Sequence, residues 1–360
     1  MFGLLPTVNL KNLLAWILLI CAGAIFATSL INATYYNLDY FLTSVRLAPT
    51  FALWKGYPLY STTTEGPWVM IGYGPFYPLM YTPSLLASTP VPAVAIATLL
   101  SHAYILLPVC LLIRLASNGE NRPRLQAIMV TILLYPLFIL MPSLQYVISR
   151  VHVDAPALGF ILLNAWFLLR YTLGDQPNVQ RAACLTGVGL GLAIACKANL
   201  TPALFLFAGW FFWFHDLRAM ASFLGCSGIT VAGIYALTCV FNDPQAILLN
   251  FQVLGNFPWS KMQWPNPLAA VAVTAPADKL SILAQKMIDI CKVAGPTVLA
   301  VAVSLYPATR CMTNRRLPAA TAPVLGVFFL LLALTMLLPA GASVAKWGGA
   351  ITVGHSSHCR

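Results

Sequence analysis

An all-α, polytopic membrane bundle is the fold class the sequence predicts, and three observations predict it. Hydrophobic residues make up 59% of the 360 residues and charged residues only 8%, against about a quarter charged in a soluble domain. That little charge cannot cover a water-exposed globule. Apolar runs close to the ~20 residues that span a bilayer recur along the chain. Lys and Arg gather at the ends of those runs, as basic residues do beside spans. Together they predict about nine or ten transmembrane helices in a single domain over residues 1–360, with a large first extracytoplasmic loop.

The net charge of +11, from 20 Lys and Arg against 9 Asp and Glu, does not make a nucleic-acid binder. Such a protein clusters its charge on a soluble face. Here the charge flanks apolar runs, where it sets topology and meets anionic head groups. Membrane lipids are therefore expected partners and nucleic acid is not. The cysteines at 21, 110, 184, 196, 226, 239, 291, 311 and 359 form no C-x-x-C pair and lie mostly in apolar segments. They read as small hydrophobes, not as a disulfide or zinc framework.

The first span runs from Asn12 to Ile31. It is too long for the core of a signal peptide and reads as a retained helix. Residues 33–90 form a polar, aromatic excursion containing Asp39, Lys55-Gly56-Tyr57-Pro58-Leu59-Tyr60 and Tyr73-Gly74-Pro75-Phe76-Tyr77-Pro78. The second span is Val91–Ile113 and ends at Arg114; Ala127–Leu144 is the third. Residues 145–154 link it to the fourth, Pro156–Leu169. The fifth, Ala182–Cys196, is broken from the sixth, Ala203–Phe214, by Lys197-Ala198-Asn199-Leu200-Thr201-Pro202. Ala221–Phe241 is the seventh. A second long excursion, 242–285, precedes an eighth span ending near Tyr306. Pro318–Leu338 is the ninth, followed by the tail 341–360.

Arg114, Arg122, Arg124, Arg170, Arg181, Arg218, Arg310, Arg315 and Arg316 occupy short alternate loops, which the positive-inside rule assigns to the cytoplasm. Residues 33–90, 145–154, 197–202, 242–285 and 341–360 then face outward. This count needs 69–88, with its Gly72, Gly74, Pro75, Pro78 and Pro83, to fold back without crossing. Such irregular backbone is tolerated at membrane depth when it is buried in protein or faces water. A rival count makes 69–88 a tenth span and puts the Arg114–Arg124 loop outside.

Ionisable groups at helix mouths are costly and are functional candidates. Asp39, just beyond the first span, suits a general base or a metal ligand; as a bland alternative it caps a helix. Arg150, His152 and Asp154 alternate, which in an extended link places them on one side. Arg suits a phosphate, and His with Asp suits a metal. Equally, Asp154 before Ala155-Pro156 suits a helix cap. Lys197 either neutralises a phosphate or snorkels. Lys346-Trp347-Gly348-Gly349 offers a cation beside glycines that permit close approach to an anion. No Walker loop, dinucleotide fingerprint, H-E-x-x-H or G-x-S-x-G is present.

The aspartate after the first span, the Lys55–Tyr60 and Tyr73–Pro78 motifs, His152-Val153-Asp154-Ala155-Pro156, and the glycine-rich run from Gly187 to Lys197 together resemble the GT-C superfamily. These are membrane glycosyltransferases related to aminoarabinose and protein mannosyl transferases. The Ala345–Gly349 stretch is similar to a late outer loop of that superfamily. With the sequence running to Arg360, it reads as a C-terminally short member. The resemblance implies an integral, multi-pass protein of a bacterial inner (plasma) membrane. It implies inverting transfer of a sugar from a polyprenyl-phosphate donor to a lipid, glycan or protein acceptor. Asp39 and Asp154 would be catalytic, and Arg150, His152, Lys197, Lys346, Tyr60 and Tyr73 would bind substrate. No cofactor is required, although a divalent metal (Mg or Mn) at His152 and Asp154 is compatible with the chemistry. The alternatives are a transporter or flippase of a lipid-linked sugar or other amphiphile, and a non-catalytic subunit of an envelope assembly. A transporter commonly shows related halves, and no internal repeat is visible.

Overall fold

The structure, a computed structural model, describes residues 10–60, 73–116, 124–140, 148–173, 177–255, 259–260, 272–273, 276–288, 291–292, 324 and 326–336. The described fold is helical, with one two-residue strand pair. Five of its helices are long and apolar enough to cross a membrane: Leu13–Asp39, Pro90–Ala116, Asp154–Thr172, Val179–Cys196 and Leu217–Phe241. Two shorter apolar helical stretches, Ala198–Phe214 and Gly326–Met336, accompany them. The chain therefore has the build of a membrane protein.

Helix α1 covers Leu10–Asp39 and α2 covers Phe41–Trp54. The first span thus continues past Ile31 to Asp39, and much of the expected loop is helix. Residues 73–88 hold a one-turn helix, α3 (Tyr77–Met80), and a 3-10 turn (Thr82–Leu86). Pro75, Pro78 and Pro83 deny this stretch the backbone donors a longer helix needs. Then come α4 (Pro90–Ala116), α5 (Arg124–Leu140), α6 (Asp154–Thr172) and α7 (Val179–Cys196). A 3-10 turn (Ala198–Leu200) leads to α8 (Ala203–Phe214), α9 (Leu217–Phe241) and α10 (Pro244–Gly255). Trp259 and Ser260 pair antiparallel with Val273 and Ala272. The eighth span and the tail lie outside the described residues.

Named contacts fix the direction of each helix. Asn37 of α1 bonds Thr98 of α4, while Phe26 lies edge-on to His102 and Tyr135, so α1 opposes α4. Tyr81 bridges Ser101 and the His152 carbonyl, and Tyr104 meets Gly159, so α4 and α6 run together. Asp154 meets Lys197, and Asn164 meets Gly189, so α6 opposes α7. Gln180 meets Ser222, and Gly191 meets Thr230, so α7 and α9 are parallel. One end of the bundle accordingly gathers Asn37–Tyr60, Tyr73–Pro90, 148–154, Lys197–Pro202 and Asn242. The other carries Arg114, Arg170, Arg181 and Arg218. This grouping follows the same division of loops that the arginine pattern makes.

Glycines set the closest helix contacts, where association in lipid depends on van der Waals packing. A Cβ on Gly187 would lie 2.5 Å from the Phe223 carbonyl, and one on Gly191 would lie 2.6 Å from the Thr230 Cβ. Both face α9, whereas Gly189 faces Asn164 of α6. Pro108 inside α4 supplies no amide hydrogen for the Tyr104 carbonyl one turn back. That carbonyl turns onto Gly159, where a Cβ would stand 2.5 Å away. His102 is a satisfied core histidine. Its Nδ1 is 2.8 Å from the Thr98 carbonyl and its Nε2 is 3.1 Å from the Tyr135 hydroxyl.

Gly187→Ala drives a methyl against the Phe223 backbone carbonyl, and overpacking of this kind costs about 1–3 kcal/mol. Thermal unfolding in detergent should show a lowered midpoint for Gly187→Ala. Gly209→Ala, which enters open space, should leave the midpoint unchanged or raise it.

Candidate functional site

The site begins with two helix ends that meet head to tail. Asp154 is the first residue of α6 and Lys197 is the residue that closes α7. A carboxylate favours the positive N-terminal end of a helix, and an ammonium favours the negative C-terminal end. The antiparallel pairing of α6 and α7 brings the two together, and Lys197 Nζ donates to Asp154 Oδ1. Asp154 is not a cap. Val153 holds the capping position, in helical conformation, with no side-chain capping bond.

His152 completes the cluster. Its Nδ1 lies 3.2 Å from Asp154 Oδ2 and accepts from the Asp154 backbone N–H at 3.1 Å. On the other edge, Nε2 is 3.2 Å from the Tyr73 hydroxyl. A proton on Nδ1 pairs with the carboxylate; its loss leaves Nδ1 to the amide and Nε2 to bond Tyr73. Burial holds the imidazole down at about 4, against the pull of the Asp154 carboxylate, and the Arg46 and Lys197 cations act in the same direction as burial. Near neutral pH the ring is therefore uncharged.

A strap over residues 73–86 roofs this cluster. Gly74 N–H donates to the Cys196 carbonyl at 3.0 Å and Phe76 N–H to the Ala195 carbonyl at 3.1 Å. These are carbonyls that the end of α7 leaves without helical partners. A Cβ at Gly74 would stand 2.0 Å from the Ala195 oxygen, so only glycine lets the backbones dock. Tyr81 donates to the His152 carbonyl at 2.8 Å and pairs with Ser101 at 3.0 Å. Tyr77 donates to the Arg46 carbonyl at 3.3 Å, and Thr50 to the Pro78 carbonyl at 2.8 Å. Tyr60 is buried, donates to the Tyr73 carbonyl at 2.9 Å, and takes the Asn242 Oδ1 on its amide at 2.9 Å. Burial raises the ionisation of Tyr60, Tyr77 and Tyr81 far above the usual phenol range, so all three serve as O–H donors.

Arg150 sits apart from this cluster, over two stacked rings. Its guanidinium carbon is 4.6 Å from the Tyr36 ring centre and 4.7 Å from that of Tyr40, and the rings lie 5.3 Å apart. A cation over an aromatic face is held by the ring quadrupole. The 148–154 link is thus not an extended ribbon. Val153 is helical, so His152 and Asp154 turn to Lys197 while Arg150 reaches α1. Asn37 anchors the same join, donating to the Ser149 carbonyl at 2.8 Å. Asp39 ends α1 within a turn of Tyr36 and Tyr40. It is exposed and makes no hydrogen bond or ion pair with Asp154, His152 or Lys197.

The structure therefore joins His152, Asp154, Lys197 and Tyr73, places Arg150 and Asp39 at the same bundle end, and makes Tyr60 a brace for the strap. Lys346 lies outside the described residues. The site also contains Arg46, Tyr81 and Asn37, which no sequence motif marks. Arg46 is buried and donates to the Val151 carbonyl at 3.3 Å. A polar residue in an apolar context was the available signal for each. As metal ligands, His152 and Asp154 supply two donors, with Lys197 already on one carboxylate oxygen. No group of three or more His, Cys, Asp or Glu that could hold a metal ion is found among the described residues. No protein-family model, curated protein or solved structure matches the chain.

Two outcomes follow from the cluster. Asp154→Asn strands the Lys197 charge. A fully buried pair loses ~3–5 kcal/mol when one partner goes. The Lys197 side chain keeps 23% exposure, so a loss of about 2–3 kcal/mol is expected. Adding Lys197→Met should recover part of it, as a double-mutant cycle in denaturant will read. The unfolded chain protonates His152 below its ordinary value of 6.5, whereas the folded chain holds it neutral to about 4. Stability is thus full above pH 6.5 and falls as the pH drops from 6.5 toward 4. Thermal midpoints across that window should show the fall, and His152→Gln should flatten it.

Proposed function

We propose that the chain is an inverting, GT-C-like glycosyltransferase that takes a sugar from a polyprenyl-phosphate donor at the extracytoplasmic face. The observation that carries this reading is the placement of Asp39. Its carboxylate is exposed, without a hydrogen-bond or ion-pair partner among the described residues, at the bundle end that also gathers Arg150, His152, Asp154 and Lys197. In this reading the bundle has nine or ten spans, and the 33–90 segment, partly helical, forms its first outer loop.

The donor's tail lies in lipid, between helices, with its phosphate at the interface. Asp39 takes the proton of an acceptor hydroxyl as the oxygen attacks the anomeric carbon. The bond from that carbon to the phosphate oxygen breaks, and the single displacement inverts the centre. Arg150, fixed by Tyr36 and Tyr40, meets the leaving phosphate with a forked donor that suits it. Lys346 would add a second cation. The Asp154–Lys197–His152 cluster positions the strap and the 148–154 link; Lys197 reaches a phosphate only by sharing it with Asp154. Lipid, glycan and protein are all chemically suitable acceptors, and the inner membrane of a bacterium is the matching compartment.

General-base removal typically costs 10²–10⁴-fold in rate. Asp39→Asn should lower sugar transfer from a purified polyprenyl-phosphate sugar by about a hundredfold or more, with the thermal midpoint unchanged. Full transfer by that variant would falsify the role of Asp39. Movement of the lipid-linked sugar across vesicles, with no glycosylated product, would instead assign the chain to transport.

A further inference from the structure

The seam between α7 and α9 carries two thiols that the candidate site does not use. The helices run parallel and in register along it: Gln180 stands opposite Ser222, Cys184 opposite Cys226, and Gly191 opposite Thr230. The Gln180 amide donates to the Ser222 hydroxyl at 2.5 Å and to Cys184 Sγ at 3.9 Å. The Cys184 and Cys226 thiols are neighbours across the seam, both are free, and both are only partly buried. Gly187, one turn further along α7, lets the backbones close in. A Cβ there would be 2.9 Å from the Cys226 Cβ. A disulfide needs Cα atoms within about 7 Å, which an ordinary helix contact of 8–10 Å between axes seldom provides and a glycine-mediated contact does.

We propose that Cys184 and Cys226 form an oxidation site that reacts with a hydroperoxide and closes reversibly to a disulfide joining α7 to α9. The chemistry balances in two steps. The Cys184 sulfur attacks the terminal oxygen of the hydroperoxide. The O–O bond breaks, leaving a sulfenic acid on Cys184 and releasing water from hydrogen peroxide or an alcohol from an organic hydroperoxide. The Cys226 sulfur then attacks the Cys184 sulfur, the S–O bond breaks, and a second water leaves with the Cys226 proton. Each sulfur is oxidised by one electron and the peroxide takes two. The pair lies on the arginine-bearing end, about 8 Å in from the start of α7 at 1.5 Å per residue. A hydroperoxide dissolved in the bilayer reaches that depth more readily than one in water. The positive-inside rule gives this end to the cytoplasm, where thiol reductants make such disulfides transient. Because α7 carries the Ala195 and Cys196 carbonyls and Lys197 at its far end, the bridge also stiffens the helix that holds the strap.

The test uses the full-length protein in detergent, treated with cumene hydroperoxide or with hydrogen peroxide, then alkylated and digested for mass spectrometry without reductant. The expected result is a peptide pair joined through Cys184 and Cys226, lost on adding dithiothreitol. It should form several-fold faster with cumene hydroperoxide. Faster reaction with hydrogen peroxide would support the bridge and assign a water-borne oxidant. Cys184→Ser should abolish the joined pair and leave Cys226 alkylated. Persistence of two free thiols at 184 and 226 in the wild-type protein, after the exposed Cys21, Cys239 and Cys291 have oxidised, would overturn the proposal. So would a bridge from Cys226 to any other cysteine in equal yield.

Discussion

The ion pair between Asp154 and Lys197 is the interaction around which one end of this bundle is arranged. Each charge sits at the helix end whose dipole favours it, and the antiparallel packing of α6 and α7 makes those ends neighbours. Either charge left alone would carry a desolvation penalty that the other offsets. Paired, they hold the start of α6 beside the close of α7, which places His152 and the last carbonyls of α7 side by side. The strap at 73–86 then has both an anchor and a floor. Its amides satisfy Ala195 and Cys196, its Tyr73 hydroxyl meets His152, and its Tyr81 hydroxyl meets the His152 carbonyl.

The strap shows how irregular backbone survives beside membrane helices. Two of its amides find helix-end carbonyls, and the Pro78 carbonyl takes the Thr50 hydroxyl. Buried tyrosines do much of the rest, because a phenol held in its protonated form donates one bond while its ring fills space. The single glycine at 74 is what allows the contact at all. The same economy governs the helix seams: Gly159, Gly187 and Gly191 replace side-chain volume with backbone contact, as packing without a hydrophobic driving force requires.

Much of this was legible in the residues. Five of the apolar runs give helices long enough to cross a membrane, and the run Ala203–Phe214 gives a shorter helix with the same ends in sequence and structure. The meeting of His152 and Asp154 with Lys197 was not, although His152 and Asp154 were read together and Lys197 was a candidate alone. Ionisable residues stand out against an apolar background, but their partners depend on which helices are neighbours. Arg150 illustrates the difference. Alternation suggested that it would join His152 and Asp154; the helical turn at Val153 sends it to Tyr36 and Tyr40 instead. Cys184 and Cys226, read as inert small hydrophobes, turn out to face one another because two parallel helices happen to be in register.

The sequence by itself determined that the chain is a helical membrane protein, that the prolines between 75 and 83 deny a long helix there, and which loops share an end. Those properties depend on local chemistry: hydrophobicity over about 20 residues, proline's missing donor, and the cost of charge in lipid. The tertiary structure decided the contacts between elements. It set Asp154 against Lys197, docked Gly74 on the end of α7, and left Asp39 exposed at the same end as Arg150. Those outcomes depend on helix direction, register and close approach, which arise only when separate segments meet and which no short window of sequence encodes.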